Sequence, residues 1–404
     1  MKANKHRLIL LAYLAALVVA GLFWPGGELL PEWRRIITAP SVLITDYFAL
    51  AGPRAALINA GVVGMLGLGL LTLLGTQISG GAIAAVFIMT GFAMFGKTPL
   101  NVLPIFLGVY LFSLAKQGRF QSYVLVAMFG TALGPLVSHI MFGLGVHWVW
   151  GLLAGVAVGF ILPALAPHLL HNHQGYNLYN VGFAAGIVGM FALALLKSFG
   201  YSASPVLYWS TEYGTALFVF FLFYFASMIA LGLATGGNLT KLKRLMALPG
   251  AMVTDFTIQI DYATTYLNMG LLGMIGLAYC YLVAGTLNGP LLGGVLTMVG
   301  FAAFGKHPRN ALPVMLGVYL ATFVQVVAPA DPGPMLAALF GTSLSPLAGA
   351  FGPLVGLVAG FLHLSVVSHI GVMHGGMNLY NNGLAAGFVA TLIVVMIRAL
   401  TEKR

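Results

Sequence analysis

Lys97 and Lys306 stand where a cation in an apolar chain can do chemistry. Each closes an apolar run inside one motif, Phe95-Gly96-Lys97-Thr98-Pro99-Leu100-Asn101-Val102-Leu103-Pro104 and Phe304-Gly305-Lys306-His307-Pro308-Arg309-Asn310-Ala311-Leu312-Pro313. The glycine breaks a helix, and Asn101 or Asn310 is placed to cap the next, with the following proline inside its tolerant first turn. A lysine beside the free N–H groups of a helix N-terminus suits an anion. The bland alternative is a surface loop whose lysine snorkels to the headgroups. Asp46 and Asp255, the acids at matched positions, allow a third reading. They could pair with Lys97 and Lys306 and leave little positive charge for a solute, or merely cap helices.

A second motif also occurs twice, as His173-Gln174-Gly175-Tyr176-Asn177-Leu178-Tyr179-Asn180-Val181-Gly182 and His374-Gly375-Gly376-Met377-Asn378-Leu379-Tyr380-Asn381-Asn382-Gly383. Polar residues with glycine precede a small-residue helix, and Asn177 or Asn378 is the natural cap. Asn177 and Asn180, like Asn378 and Asn381, are three apart and share a helix face. Carboxamides there offer donors and acceptors without charge. His173 and His374 are candidates for a proton relay. A metal site is not expected: the paired histidines His168/His173 and His369/His374 are five apart, off one face, with no carboxylate near and no zinc-protease pattern. No cofactor, nucleophile elbow or Walker loop is apparent.

The elements that hold these residues come in two copies. Asp46 and Asp255 are 209 residues apart (255 − 46), and the same offset joins Phe95-Gly96-Lys97 to Phe304-Gly305-Lys306. The chain of 404 residues is 60% hydrophobic and 6% charged, against a usual ~25% charged. This composition gives an all-α polytopic membrane protein with two homologous halves, residues 1–205 and 206–404. About seven apolar segments fall in each half, at 8–24, 55–76, 79–95, 101–116, 122–143, 148–166 and 178–198, then 213–234, 264–285, 288–304, 310–327, 334–350, 352–368 and 379–399. Short helices at 40–50 and 249–260 are expected at the interface or re-entrant. The first segment has a counterpart 209 residues on, which favours a structural helix over a cleaved signal.

Seven spans per half is odd, so the halves are expected to be inverted. Arg34-Arg35 is offset by Glu28 and Glu32, whereas the matched Lys243-Arg244 gains Lys241 with no acid near it in sequence. That imbalance, with basic termini, places both ends in the cytoplasm of a bacterial inner membrane. The net charge of +10 flanks helices in this way and gives no basic domain for nucleic acid. Cys280 stands alone and cannot form an intrachain disulfide. Repeated small-residue spacings, such as Gly182/Gly186 and Gly383/Gly387, suit close helix packing.

The two duplicated motifs together resemble a bacterial family of polytopic membrane proteins known only as a domain of unknown function. That resemblance covers nearly the whole chain and implies no substrate. There is also a loose architectural likeness to urea transporters, in inverted repeats and short segments at broken helices. The Leu-Pro-x-x-Thr-x-Pro-Phe-Asn pattern of that family is absent, so urea is not implied. The residues point to a channel or secondary transporter, not an enzyme. Its partners would be the lipid bilayer, a small polar solute (more anionic than neutral) and, as an option, further copies of itself. The binding residues would be Lys97, Lys306, Asn101, Asn310, Asn177, Asn180, Asn378 and Asn381. The rivals are a channel for a small neutral solute, a membrane-embedded enzyme acting on a lipid or isoprenoid intermediate through His173 and His374, and an assembly factor.

Overall fold

In the computed structural model, which describes residues 2–252 and 254–401, the chain is helical throughout and is built twice from the same parts. The first half runs α1 (Lys2–Phe23), α2 (Leu29–Ile37), α3 (Tyr47–Ala51), α4 (Pro53–Leu73), α5 (Gly80–Phe92), α6 (Pro99–Ala115), α7 (Val124–Gly130), α8 (Gly134–Phe142), α9 (Val149–His173) and α10 (Asn180–Ser198). The second half repeats them as α11 (Gly214–Ala234), α12 (Leu239–Met246), α13 (Phe256–Gln259), α14 (Tyr262–Ala284), α15 (Gly289–Phe301), α16 (Pro308–Ala321), α17 (Pro332–Phe340), α18 (Ser345–Phe351), α19 (Pro353–Ile370) and α20 (Asn381–Thr401). Among the described residues, ten helical stretches are long and apolar enough to cross a membrane, and α5, α6 and α15 are shorter apolar helices. The fifth segment of each half is one span interrupted by a 3₁₀ turn, α7 with α8 and α17 with α18.

The expected short helices are shorter still and sit at the ends of the predicted stretches, at Tyr47–Ala51 and Phe256–Gln259. Each half also carries an amphipathic helix that apolar runs could not reveal, α2 and α12. Lys241 on α12 is not without an acid: Asp261, the N-cap of α14, lies 2.9 Å from its ammonium. Sequence distance hid the pair.

The halves interlock through α5 and α15. Every residue of both helices is buried, which is why both are apolar all round. They run antiparallel. Gly80, at the start of α5, abuts the Ala303 carbonyl beyond the end of α15, and Gly289, at the start of α15, abuts the Met94 carbonyl beyond the end of α5. In the last turn of α15, a Cβ on Gly300 would lie 2.8 Å from the Phe87 Cβ and 3.1 Å from the Ala84 Cα, so only hydrogen lets these backbones approach. Because corresponding helices run in opposite directions and exchange the same contacts, the repeats are inverted. Near the same axis the first turns of α10 and α20 cross, with Gly182 against Gly383.

Asp46 and Asp255 fasten this crossing. The Asp46 carboxylate accepts from Phe48 N (3.0 Å) on its own short helix, from Gly289 N (3.1 Å) at the start of α15 and from Ser210 N (2.8 Å). Asp255 accepts from Thr257 N (2.9 Å), from the Thr257 hydroxyl (2.6 Å) and from Gly80 N (2.8 Å) at the start of α5. Each aspartate therefore caps a helix of the other half. Neither pairs with Lys97 or Lys306, and this corrects the ion-pair expectation. Free N–H groups at a helix start claim a carboxylate as effectively as a lysine does.

Candidate functional site

Both broken segments owe their shape to a buried asparagine on the preceding helix. Asn59 on α4 donates to the carbonyls of Ala93 (2.6 Å) and Lys97 (2.8 Å). Asn268 on α14 donates to those of Ala302 and Lys306, both at 2.8 Å. These carbonyls would be orphans where α5 and α15 end. The next helix starts at once, but with a cap different from the expected one. Thr98 caps α6 and His307 caps α16, with Pro99 and Pro308 at the first helical position. Asn101 and Asn310 sit three residues after the cap and close capping boxes: each side-chain oxygen accepts from the cap residue's N–H at 2.9 Å. Their amide nitrogens donate to Gly96 O and Gly305 O, also at 2.9 Å. Both side chains are fully buried and occupied by the fold.

The polar starts of α10 and α20 follow one plan with one difference: Asn177 Nδ2 donates to Gly383 O at 3.3 Å, whereas Asn378 Nδ2 has no partner among the described residues. Asn177 and Asn378 do not cap; each side-chain oxygen accepts from the N–H two residues on, Tyr179 (3.0 Å) or Tyr380 (3.1 Å), and the helices begin at Asn180 and Asn381. Asn180 Oδ1 lies 2.9 Å from His173 Nε2, and Asn381 Oδ1 lies 3.0 Å from His374 Nε2. Asn180 and Asn381 also donate to carbonyls on α9 and α19, Ala166 and Val367. Each histidine therefore ties the two arms of a helical hairpin together. Both rings are fully buried.

The lysines meet the other half of the chain. Lys97 Nζ donates to Tyr380 Oη at 2.8 Å and lies 4.9 Å from the Tyr380 ring centroid and 5.3 Å from that of Phe92. Lys306 Nζ donates to Tyr179 Oη (2.6 Å) and Thr342 Oγ1 (2.7 Å), over the rings of Tyr179 and Phe301. Both side chains are 0% exposed. No carboxylate reaches either lysine, and the one ion pair among the described residues is Lys241–Asp261. Aromatic faces and hydroxyls take the place of an anion.

These aromatic rings enclose a cavity of about 280 Å³ on the axis between the halves. Phe92 packs between Phe340 (5.1 Å between centroids) and Tyr380 (4.6 Å), and Phe301 packs between Phe129 (6.0 Å) and Tyr179 (4.9 Å). All six rings line the space. Lys97 and Lys306 stand behind this wall and do not line it. Of the eight residues expected to bind a solute, Asn180 alone lines the cavity, and its amide is already engaged. The expected anion site of converging lysines and asparagines is not assembled in this arrangement. No group of three metal-ligating side chains occurs among the described residues.

A model of the family described as a protein of unknown function, DUF1576, matches residues 26–198 and again residues 235–399. The chain belongs to the DUF1576 family. Neither a curated protein nor a solved structure matches it. One matched stretch falls in each inverted half, from α2 and from α12 onward, so this DUF1576 chain carries its family unit as a duplication. Three partners in the site, Asn59, Asn268 and Thr342, lie outside the two motifs. Asn59 and Asn268 were detectable as amides 209 residues apart inside apolar helices. Thr342 belongs to a further repeat, Phe129-Gly130-Thr131-Ala132-Leu133-Gly134-Pro135 and Phe340-Gly341-Thr342-Ser343-Leu344-Ser345-Pro346, which a fixed offset of 209 passes over. Tyr179 and Tyr380 were visible in the motif but had no partner until the halves were brought together.

Proposed function

We propose that this protein transports a small solute across a bilayer, holding it in the cavity between its inverted halves. The observation that carries the proposal is the placement of that cavity, on the axis where two short antiparallel helices cross, which is where inverted-repeat transporters hold their solutes. Its shape supports one-sided access. Gly81, Met252 and Phe304 line it, while their counterparts Pro290, Leu43 and Phe95 do not. It therefore leans toward the end of the molecule where α1 begins and where Tyr262 Oη donates to Ile78 O. Lys5, Arg7, Lys241, Lys243 and Arg244 gather at that end, so it would be the cytoplasmic one, in a bacterial inner membrane.

The wall also revises the expected solute. It is aromatic and aliphatic, with few free polar groups, and this favours a molecule with an apolar body over a naked small anion. The lysines would act through the tyrosines by fixing ring positions from behind. No part of this reading requires an enzymatic reaction.

The test is access from both faces. Thr297 lines the cavity, and the buried Cys280 is changed to serine to leave one thiol. A Thr297→Cys variant, in oriented sealed vesicles, is treated with membrane-impermeant thiol reagents from each side. A transporter should show labelling from both faces, with one face lost when Gly182→Cys and Gly383→Cys are cross-linked. Labelling from a single face, whatever the cross-link, would end the proposal.

A further inference from the structure

Two of the positions beside the cavity at which the halves differ carry side chains that bond to each other in the second half. Where α9 carries Leu162, α19 carries His363, and where α10 carries Val181, α20 carries Asn382 (offset 201 in both cases). Val181 and Asn382 both line the cavity. His363 is 0% exposed and sits against Gly341, as Leu162 sits against Gly130. Its Nε2 lies 2.9 Å from Asn382 Oδ1, and its Nδ1 has no partner. With Asn382 Oδ1 accepting, Nε2 carries the imidazole proton and the carboxamide NH₂ is held toward the cavity. Asn382 is 9% exposed, and no described residue accepts from its Nδ2. A donor beside the cavity with no protein acceptor gains its bond from whatever fills the space.

Building on the reading that the cavity holds a solute, we propose that Asn382 is its specificity-determining residue and His363 the positioning residue. The solute class is a small molecule with an apolar body and one hydrogen-bond acceptor, such as a carbonyl or ether oxygen. The apolar body lies against Phe92, Phe301 and the two tyrosines. The acceptor meets Asn382 Nδ2. Because Val181 offers no such group, the solute binds in one orientation, off the symmetry axis. The engaged amides of Asn180 and the Thr297 hydroxyl, which donates to Gly293 O, leave Asn382 as the free donor among the non-aromatic side chains of the wall.

The probes are acetophenone and α-methylstyrene, isosteres that differ by an oxygen in place of a methylene. Binding to the protein in lipid nanodiscs is measured against empty nanodiscs, and the ketone's carbonyl stretch is followed by infrared spectroscopy. Wild type should bind the ketone about five- to tenfold tighter, the scale of one net hydrogen bond, with the carbonyl band shifted to lower frequency. Asn382→Val should erase both the preference and the shift while retaining the hydrocarbon. His363→Leu should weaken both, and His363→Gln, which keeps a donor for Asn382 Oδ1, should restore part of each. Equal binding of the two probes by wild type overturns the role of Asn382 but leaves a solute cavity. No binding of either probe, or binding undiminished when Ile88→Trp fills the cavity, overturns the cavity reading as well.

Discussion

Lys306 Nζ of the second half donates to Tyr179 Oη of the first at 2.6 Å, and Lys97 with Tyr380 repeats the bond in the opposite sense at 2.8 Å. Each half thus buries its lysine in the other's aromatic wall without a counter-anion. A buried ammonium lacking a carboxylate is a stability cost, and an apolar group of similar volume can remove it. Lys97→Met should therefore leave the melting temperature unchanged or raised, in detergent. Lys306→Met should rank below it, because it strips a donor from both Tyr179 and Thr342, although Thr342 still donates to Leu339 O. Both variants should lose far-face labelling at Thr297→Cys. A drop in stability of more than about 3 kcal/mol in both, the cost of breaking a satisfied buried pair, would make the lysines structural instead.

The aspartates should rank in the opposite way. Asp46→Ala leaves three backbone N–H groups unmet, those of Phe48, Gly289 and Ser210, each costing about 1–3 kcal/mol when buried. Asp255 is half-buried, so water can replace part of what Asp255→Ala removes. Thermal unfolding should place Asp46→Ala well below Asp255→Ala, with Asp46→Asn between Asp46→Ala and wild type because one acceptor oxygen survives. If Asp46→Ala matched wild type, the fastening of α15 by this carboxylate would be refuted.

Much of the architecture was legible because duplication and apolar length are properties of the chain alone. The apolar segments follow from composition, the lysine break recurs at an offset of 209 and the asparagine motif at 201, and the inverted relation is what an odd number of segments per half implies. The site was less legible because its contacts join residues from opposite halves. Lys97 and Tyr380 are 283 positions apart, and nothing local announces that they meet. Asn101 and Asn177 misled in a different way: an asparagine near a helix start can bond to a solute or to its own backbone, and here the backbone supplied partners first. The Leu162/His363 and Val181/Asn382 differences lie outside what the halves share, so the repeat itself does not mark them.

Glycine tests the helix crossing directly. Gly300→Ala must push α15 off Ala84 and Phe87 and should cost about 1–3 kcal/mol, the usual range for overpacking. Gly69, on α4, has open space where its Cβ would be, so Gly69→Ala should instead stabilise by roughly 0.5–1 kcal/mol through helix propensity. Equal unfolding temperatures for the two variants would contradict the close approach of α5 and α15.

The corner between α12 and α14 has its own pH dependence. Partial burial pulls the Asp261 carboxyl upward, but the Thr264 N–H and the Lys241 ammonium together outweigh it and hold Asp261 below the usual carboxylate range. A depressed carboxylate stabilises above its unfolded pKa, and that stability is lost as pH falls through the folded value. Acidification below about pH 4 should loosen this corner in wild type, measured as faster amide exchange at Thr264, and Asp261→Asn should flatten the profile. An unchanged profile in the variant would assign the effect to another group.

Asn59 and Asn268 make the sharpest test of how the broken helices are held. Each donates two hydrogen bonds to carbonyls that have left their helix, and each is fully buried. Replacement by leucine keeps approximate volume and removes both donors, so the freed carbonyls must find water or fold back. At about 1–3 kcal/mol for each orphan, either substitution should destabilise by several kcal/mol. The two should not be equal. Asn59 Oδ1 also accepts from Trp33 Nε1 at 3.4 Å, whereas Asn268 Oδ1 has no partner. Asn268→Leu therefore relieves an unmet acceptor while it breaks the same pair of bonds, and should be the milder change. Denaturation of both variants in one detergent decides the order, and a milder Asn59→Leu would show that these carbonyls are not what the asparagines hold.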